Sequence, residues 1–158
     1  MKNLSYLFTL TSILVLSAFY CQAQHTWDWE AYEVSIDLPN DFKVVQNTSN
    51  EFEAEGEGME IYMYIFESDI SLREMKDATI EVAHEMELKE WDVVQNIKTR
   101  GFKGKYVAGY LNGRAVLLSG LINPDNITNF FVVLTFNDDD EVAEEDAFEI
   151  LDSIRKSR

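Results

Sequence analysis

The sequence predicts an α+β fold: an antiparallel sheet of about seven or eight strands flanked by two main helices. Three observations carry this reading. Runs of β-branched and aromatic residues fall in two blocks, one before and one after a single helical segment, and a second helical segment closes the chain. That order groups strands together instead of alternating them with helices, as a parallel α/β sheet would require. Asn112-Gly113, set between two strand-like runs, is the signal of a two-residue type I′ hairpin, in which both central residues need positive φ. No repeat and no Pro/Gly/Ser-rich linker divides residues 24–158, so they are expected to form a single domain.

Met1 to Ala23 reads as an export signal. Lys2 precedes an apolar run from Leu7 to Phe19, and Cys21-Gln22-Ala23 offers small residues for signal peptidase, so cleavage after Ala23 is expected. The run is short for a membrane span. Bulky Phe19 and Tyr20 stand where a lipoprotein signal has small residues, which argues against a lipid anchor on Cys21. Cleavage would remove the one cysteine of the chain, so a mature protein held by a hydrophobic core and not by disulfides is expected, in the periplasm or secreted.

Tyr32, Val34, Ile36 and Leu38 alternate with Glu33, Ser35 and Asp37, the period of a half-buried strand, and Leu38-Pro39-Asn40-Asp41 supplies turn chemistry. Short strands are expected from Phe42 through Val45 and from Phe52 to Glu55. Met59 to Phe66 is apolar on both faces and predicts a central strand covered on both sides. Ser71 with Glu74 forms a capping-box signature, opening a helix from about Leu72 to Leu88. Leu72, Met75, Ala78, Thr79, Val82, Ala83 and Met86 fall in one stripe of that helix, while Ile80 lies outside it and His84 faces solvent. Strands follow at Val93–Thr99, Lys105–Leu111, Arg114–Ile122 and Thr128–Phe136. The last helix is expected to be capped by Asp138-Asp139-Asp140 and to end with Arg155, Lys156 and Arg158 complementing its C-terminal dipole.

The segment from Tyr32 to Val44, an alternating strand followed by Leu38-Pro39, Asp41 and Phe42, resembles the opening of PsbP-like and Mog-like α/β/α sandwich domains. The ending Phe148-Glu149-Ile150-Leu151-Asp152-Ser153-Ile154 is similar to their final helix. Members of that family include an extrinsic photosystem subunit, a Ran-binding protein and exported bacterial proteins. The resemblance implies a non-enzymatic binding or accessory domain. No functional residue carries over from it, because neither a lipidated Cys nor a metal-binding motif is matched.

Charge narrows the partners. The chain holds 29 acidic against 13 basic residues, a net charge of -16, and loss of Lys2 with the leader makes it -17. Nucleic acid and anionic membranes need clustered cations over a broad face and are not expected partners. Lys98, Arg100, Lys103 and Lys105 are nevertheless gathered within eight positions, flanked by Tyr106 and Tyr110. This is the candidate ligand- or partner-binding site, suited to an anionic ligand or an acidic loop. A purely structural account has these cations pairing across strands with the acidic row Glu51, Glu53, Glu55 and Glu57 to set register.

Neighbours in that row would lie about 6.8 Å apart, too far for two to hold one Ca²⁺ unaided, so the row reads as a solvated strand face. His84 shares a helix with Asp77 and Glu81 without zinc-site spacing. Trp27 and Trp29 suit either sugar stacking or core closure, and closure is favoured. No nucleophile elbow, P-loop or dinucleotide fingerprint occurs. The expectation is an exported domain that is not an enzyme, needs no cofactor or metal, and recognises a protein partner or envelope component. The alternatives are a small carbohydrate-active or other hydrolase using paired carboxylates, and a weak divalent-cation binder.

Overall fold

The computed structural model describes residues 24–29, 32–56, 58–66, 70–123, 129–137 and 142–157. The export signal, Glu57, Thr128, the Asp138–Asp140 cap and Arg158 lie outside the described residues.

The strands are β1 (Gln24–Trp29), β2 (Val34–Pro39), β3 (Lys43–Asn47), β4 (Glu51–Gly56) and β5 (Met59–Phe66), followed by helix α1 (Leu72–Glu85). Then come β6 (Gln95–Lys98), β7 (Lys103–Leu111), β8 (Arg114–Ile122) and β9 (Asn129–Phe136), helix α2 (Ala143–Ser153) and a short β10 (Arg155–Lys156). A seven-stranded antiparallel sheet runs in the order β3-β4-β5-β9-β8-β7-β6, and β1-β2-β10 form a separate three-stranded sheet. This is the expected α+β architecture. The strand around Ile36, however, belongs to the small sheet and not to the large one.

The two faces of the large sheet are covered differently. On one, Ile61, Met63, Leu117, Leu121, Phe130, Val132 and Leu134 meet α2 and the small sheet, with Trp29, Ile36 and Leu38 fully buried among them. On the other, Val107, Val116, Leu118, Phe131 and Val133 pack against Met75, Ala83 and Leu88 of α1 and the residues after it. Gly120 lets α1 sit low on β8: a Cβ there would lie 2.3 Å from Met75 Sδ. The most buried strand is β9, in the middle of the sheet, and not β5, whose Tyr62, Tyr64 and Phe66 are only half-buried because α1 lies over β7 and β8.

The expected capping box is present: Ser71 Oγ accepts from the Glu74 amide at 3.3 Å, and the Ser71 amide donates to Glu74 Oε2 at 2.8 Å. Leu72, placed by periodicity in the buried stripe, is 39% exposed, since it sits in the first turn beyond the sheet. The helix stops at Glu85 because Glu87 takes a left-handed φ of 57° and the Leu88 amide returns to Ala83 O, closing a terminal turn. The I′ turn is as expected, with φ of 52° at Asn112 and 81° at Gly113. At the end of the chain the reading is corrected. Val142 occupies the N-cap of α2 with no side-chain hydrogen bond, and Arg155 and Lys156 leave the helix to pair with β2.

Candidate functional site

The strands β6 and β7 form a hairpin at one border of the large sheet. Its turn is pinned from inside. The Thr99 amide donates to Phe102 O at 3.1 Å and the Phe102 amide to Thr99 Oγ1 at 3.3 Å, while Phe102 is buried edge-on against Phe130 at 5.0 Å. Gly104 allows β7 to press on its neighbour, since a Cβ there would fall 2.0 Å from Gly120 O.

Register then decides which cations meet. Lys98 stands opposite Lys103, Asn96 opposite Lys105, Ile97 opposite Gly104 and Gln95 opposite Tyr106. Opposed residues project to one face and successive residues alternate, so Lys98, Lys103 and Lys105 share the face that α1 covers further along. Tyr106 projects to the other face, half-buried and edge-on to Phe148 of α2 at 5.5 Å, and Tyr110 packs with the same core. Arg100 is exposed on the turn; the Asp37 carboxyl is held below its ordinary value first by its hydrogen bond from Arg155, and the Arg100 charge adds a smaller part. Of the six residues in the candidate site, three lysines come together. The two tyrosines are separated from them.

The cross-strand pairing expected between these cations and the acidic row does not occur. Strands β5, β9 and β8 stand between β4 and β7. Lys105 Nζ donates to Asn96 Oδ1, while Lys98 and Lys103 have no ion-pair or hydrogen-bonding partner among the described residues. Two like charges directly opposite one another are destabilising.

The far border is acidic. Glu51, Glu53 and Glu55 lie on one face of β4, as expected, with Phe52 and Ala54 buried behind them. Gln46 Nε2 donates to Glu51 Oε2 at 2.6 Å, and Arg114 binds Glu60 at 2.6 Å. Beside them Tyr62 stacks on Tyr64 at 5.5 Å and Tyr64 on Phe131 at 5.4 Å. Burial and the hydrogen bond to Glu51 push the Tyr62 phenol up to about 12, and burial does the same for Tyr64. Glu53, Glu60, Tyr62 and Thr135 edge a shallow depression of about 180 Å³.

The other candidates have structural settings. Trp29 is fully buried and its Nε1 donates to Thr48 O at 2.6 Å, while half-buried Trp27 packs on the same core, so closure is the observed role. His84 is exposed with its ring edge-on to Trp91 at 5.4 Å. Among the described residues no group of three or more His, Cys, Asp or Glu is placed to hold a metal ion, and no helix is long and apolar enough to cross a membrane.

Sequence reasoning missed one polar cluster. Arg155 grips Asp37 with both terminal nitrogens, at 2.7 and 2.8 Å, and Thr26 Oγ1 donates to the same carboxylate at 2.6 Å. This clamp holds β10 on β2 and, through Gly101, whose Cβ position is 3.2 Å from the Lys156 amide nitrogen, borders the β6–β7 turn. The partners are 118 positions apart, so no local pattern announces them.

No family model matches the sequence, and no curated protein matches it significantly. Solved structures do match. The Saccharomyces cerevisiae Ran-binding protein Mog1p superposes with a TM-score of 0.57 at 8% identity, covering 86% of this chain and 96% of that one. A point variant of protein Mog1 gives 0.56 at 8%, covering 85% and 96%. A Bacteroides thetaiotaomicron protein gives 0.54 at 13%, covering 87% of this chain, which spans about half (49%) of that protein's length. At these identities the likeness is one of fold. Strand order, the two helices and these superpositions together give the chain a Mog-like α+β sandwich fold.

Proposed function

We propose that this chain is an exported, non-catalytic accessory domain that binds a protein partner or envelope component through the β6–β7 border of its large sheet. The observation that carries the reading is the unneutralised lysine group, Lys98 and Lys103 opposed with Lys105 beside them, in a chain with more than twice as many acids as bases. An acidic protein that leaves its cations unpaired on an exposed hairpin is complementary to an anionic surface. The Mog1p structure adds that this fold serves a Ran-binding protein, which supports protein recognition as the class of activity. Export rests on the leader-like residues Met1 to Ala23.

The test is site-directed photo-crosslinking in cells that make and export the full chain. A photoreactive residue at Gln95, on the hairpin, is expected to yield one discrete adduct absent when it is placed at Asp77 on the outer side of α1. Equal adducts from both positions, or none from Gln95, would overturn the reading. So would hydrolase turnover by the purified chain that a single carboxylate substitution abolishes.

A further inference from the structure

We infer that the β6 edge takes up an extended segment of the partner as an added strand, and that this segment carries acidic residues at alternate positions. The inference rests on the partner-binding reading above and gives it a mode and a chemistry.

The geometry is specific. Thr99 and Phe102 form the hydrogen-bonded pair that closes the hairpin. In an antiparallel ladder hydrogen-bonded and open pairs alternate, so Ile97 and Gln95 also spend their backbone groups on β7, while those of Asn96 and Lys98 point away from the sheet. Among the described residues β6 ends the strand order and nothing pairs with its outer edge. Two outward-facing residues offer up to four main-chain hydrogen bonds to an added strand.

Side chains select what is added. Asn96 and Lys98 are the edge residues whose backbones are open, and their side chains lie on the face shared with Lys103 and Lys105. An added strand therefore presents every second side chain to this lysine face. The residue opposite Lys98 is next to one ammonium and one strand spacing, about 4.8 Å, further from Lys103. A carboxylate there relieves the repulsion between the two lysines, and a second carboxylate two residues along reaches the Asn96–Lys105 pair. Main-chain pairing supplies the docking mode and alternate side chains the specificity. The opposite edge lacks this arrangement: β3 breaks register at Val45 and has Lys43 facing Glu55.

The experiment uses the full chain purified after export and a fluorescent heptapeptide that alternates glutamate with valine. Anisotropy titrations compare it with a peptide of the same composition whose acids are contiguous, with one carrying lysine for glutamate, and with one N-methylated on the amides of alternate residues. The alternating peptide is expected to bind at least tenfold tighter than each control and to weaken with salt. Lys98→Ala and Lys103→Ala are each expected to weaken it roughly five- to tenfold. Asn96→Pro removes an outward N–H together with the exposed side-chain acceptor of Lys105 Nζ, and leaves the hydrogen bonds to β7 in place, so it should abolish binding with the melting temperature little changed.

Equal binding of the contiguous or N-methylated peptide, no binding of the alternating one, or indifference to both lysine variants would overturn strand addition. If Asn96→Pro unfolds the chain, the N-methylated peptide alone decides the main-chain contribution. The crosslinking test is independent of these arms. An adduct at Gln95 without a preference for the alternating peptide overturns strand addition and leaves partner recognition standing, whereas absence of the adduct overturns partner recognition itself.

Discussion

The two borders of the large sheet carry opposite charge and are built differently. At the β3–β5 border two of the acids are partnered, Glu51 by Gln46 and Tyr62 and Glu60 by Arg114, over a stack of tyrosines. At the β6–β7 border Lys98 and Lys103 face one another with no ion-pair partner among the described residues. The edges differ too, β3 being bulged and β6 regular. Bulges and charges on an edge strand both discourage unselective pairing with another chain; β3 carries the bulge, and β6 carries lysine on a regular edge. Among the described residues the lysine group lies at one border of the sheet and the glutamate row at the other.

That contrast can be broken most severely at its glycines. Gly104→Ala drives a Cβ into Gly120 O, a backbone atom that cannot step aside, and is expected to cost about 3 kcal/mol in urea denaturation. At the acidic border Gly56→Ala meets the ring of Phe42 at 2.4 Å, a side chain that can rotate, and about 1–2 kcal/mol is expected. Equal costs would show that β7 is not the more tightly held of the two.

Next in size is the clamp beside the cationic turn. Arg155→Ala leaves the Asp37 carboxylate without its two-pronged partner and is expected to destabilise by about 2 kcal/mol at neutral pH. Arg155 holds the Asp37 carboxyl below its ordinary value of 3.8, so the folded state favours the ionised form. The contribution is fully present above that value and is lost as pH falls through the lowered one. The gap between wild type and variant should therefore close in denaturation curves run below about pH 4. A gap that did not narrow over that range would show that Arg155 acts through its other contacts, with Ser153 O and Thr26 Oγ1.

The acidic border titrates at the other end of the scale. Tyr62 and Tyr64 are raised from 10.0 to about 12, so the folded state favours the neutral phenols. Their contribution is complete below pH 10 and is lost as pH rises towards 12. Glu51→Gln should return the Tyr62 ultraviolet titration towards 10 while leaving Tyr64 in place. The smallest effect belongs to Lys98→Glu, which turns a repulsive cross-strand pair into an attractive one and should stabilise by roughly 0.5 kcal/mol. Loss of the alternating peptide's affinity in that same, more stable variant would separate recognition from folding.

Much of the fold was legible because its signals are local. Alternation marked the strand through Ile36, the Asn112-Gly113 pair placed the I′ hairpin between β7 and β8, and Ser71 with Glu74 marked the start of α1. The errors came where tertiary packing overrode pattern. Leu72 has the right phase to be buried but no sheet beneath it, and the basic residues after α2 suit a helix C-terminus yet pair with β2, where Asp37 waits. Of the candidate site, the lysine cluster was visible as composition. Its division from Tyr106 and Tyr110 follows from strand alternation once β7 is known to start at Lys103.

The sequence by itself determined the two helices and the strands β2 to β9 and the order in which they occur, because periodicity, caps and turn residues act over a few positions. Only the tertiary structure decided that β2 leaves the large sheet, that acids and lysines take opposite borders, and that Arg155 reaches Asp37. Those outcomes depend on strand order and register, set by which apolar faces bury one another, and residues more than a hundred positions apart meet only after that burial is complete.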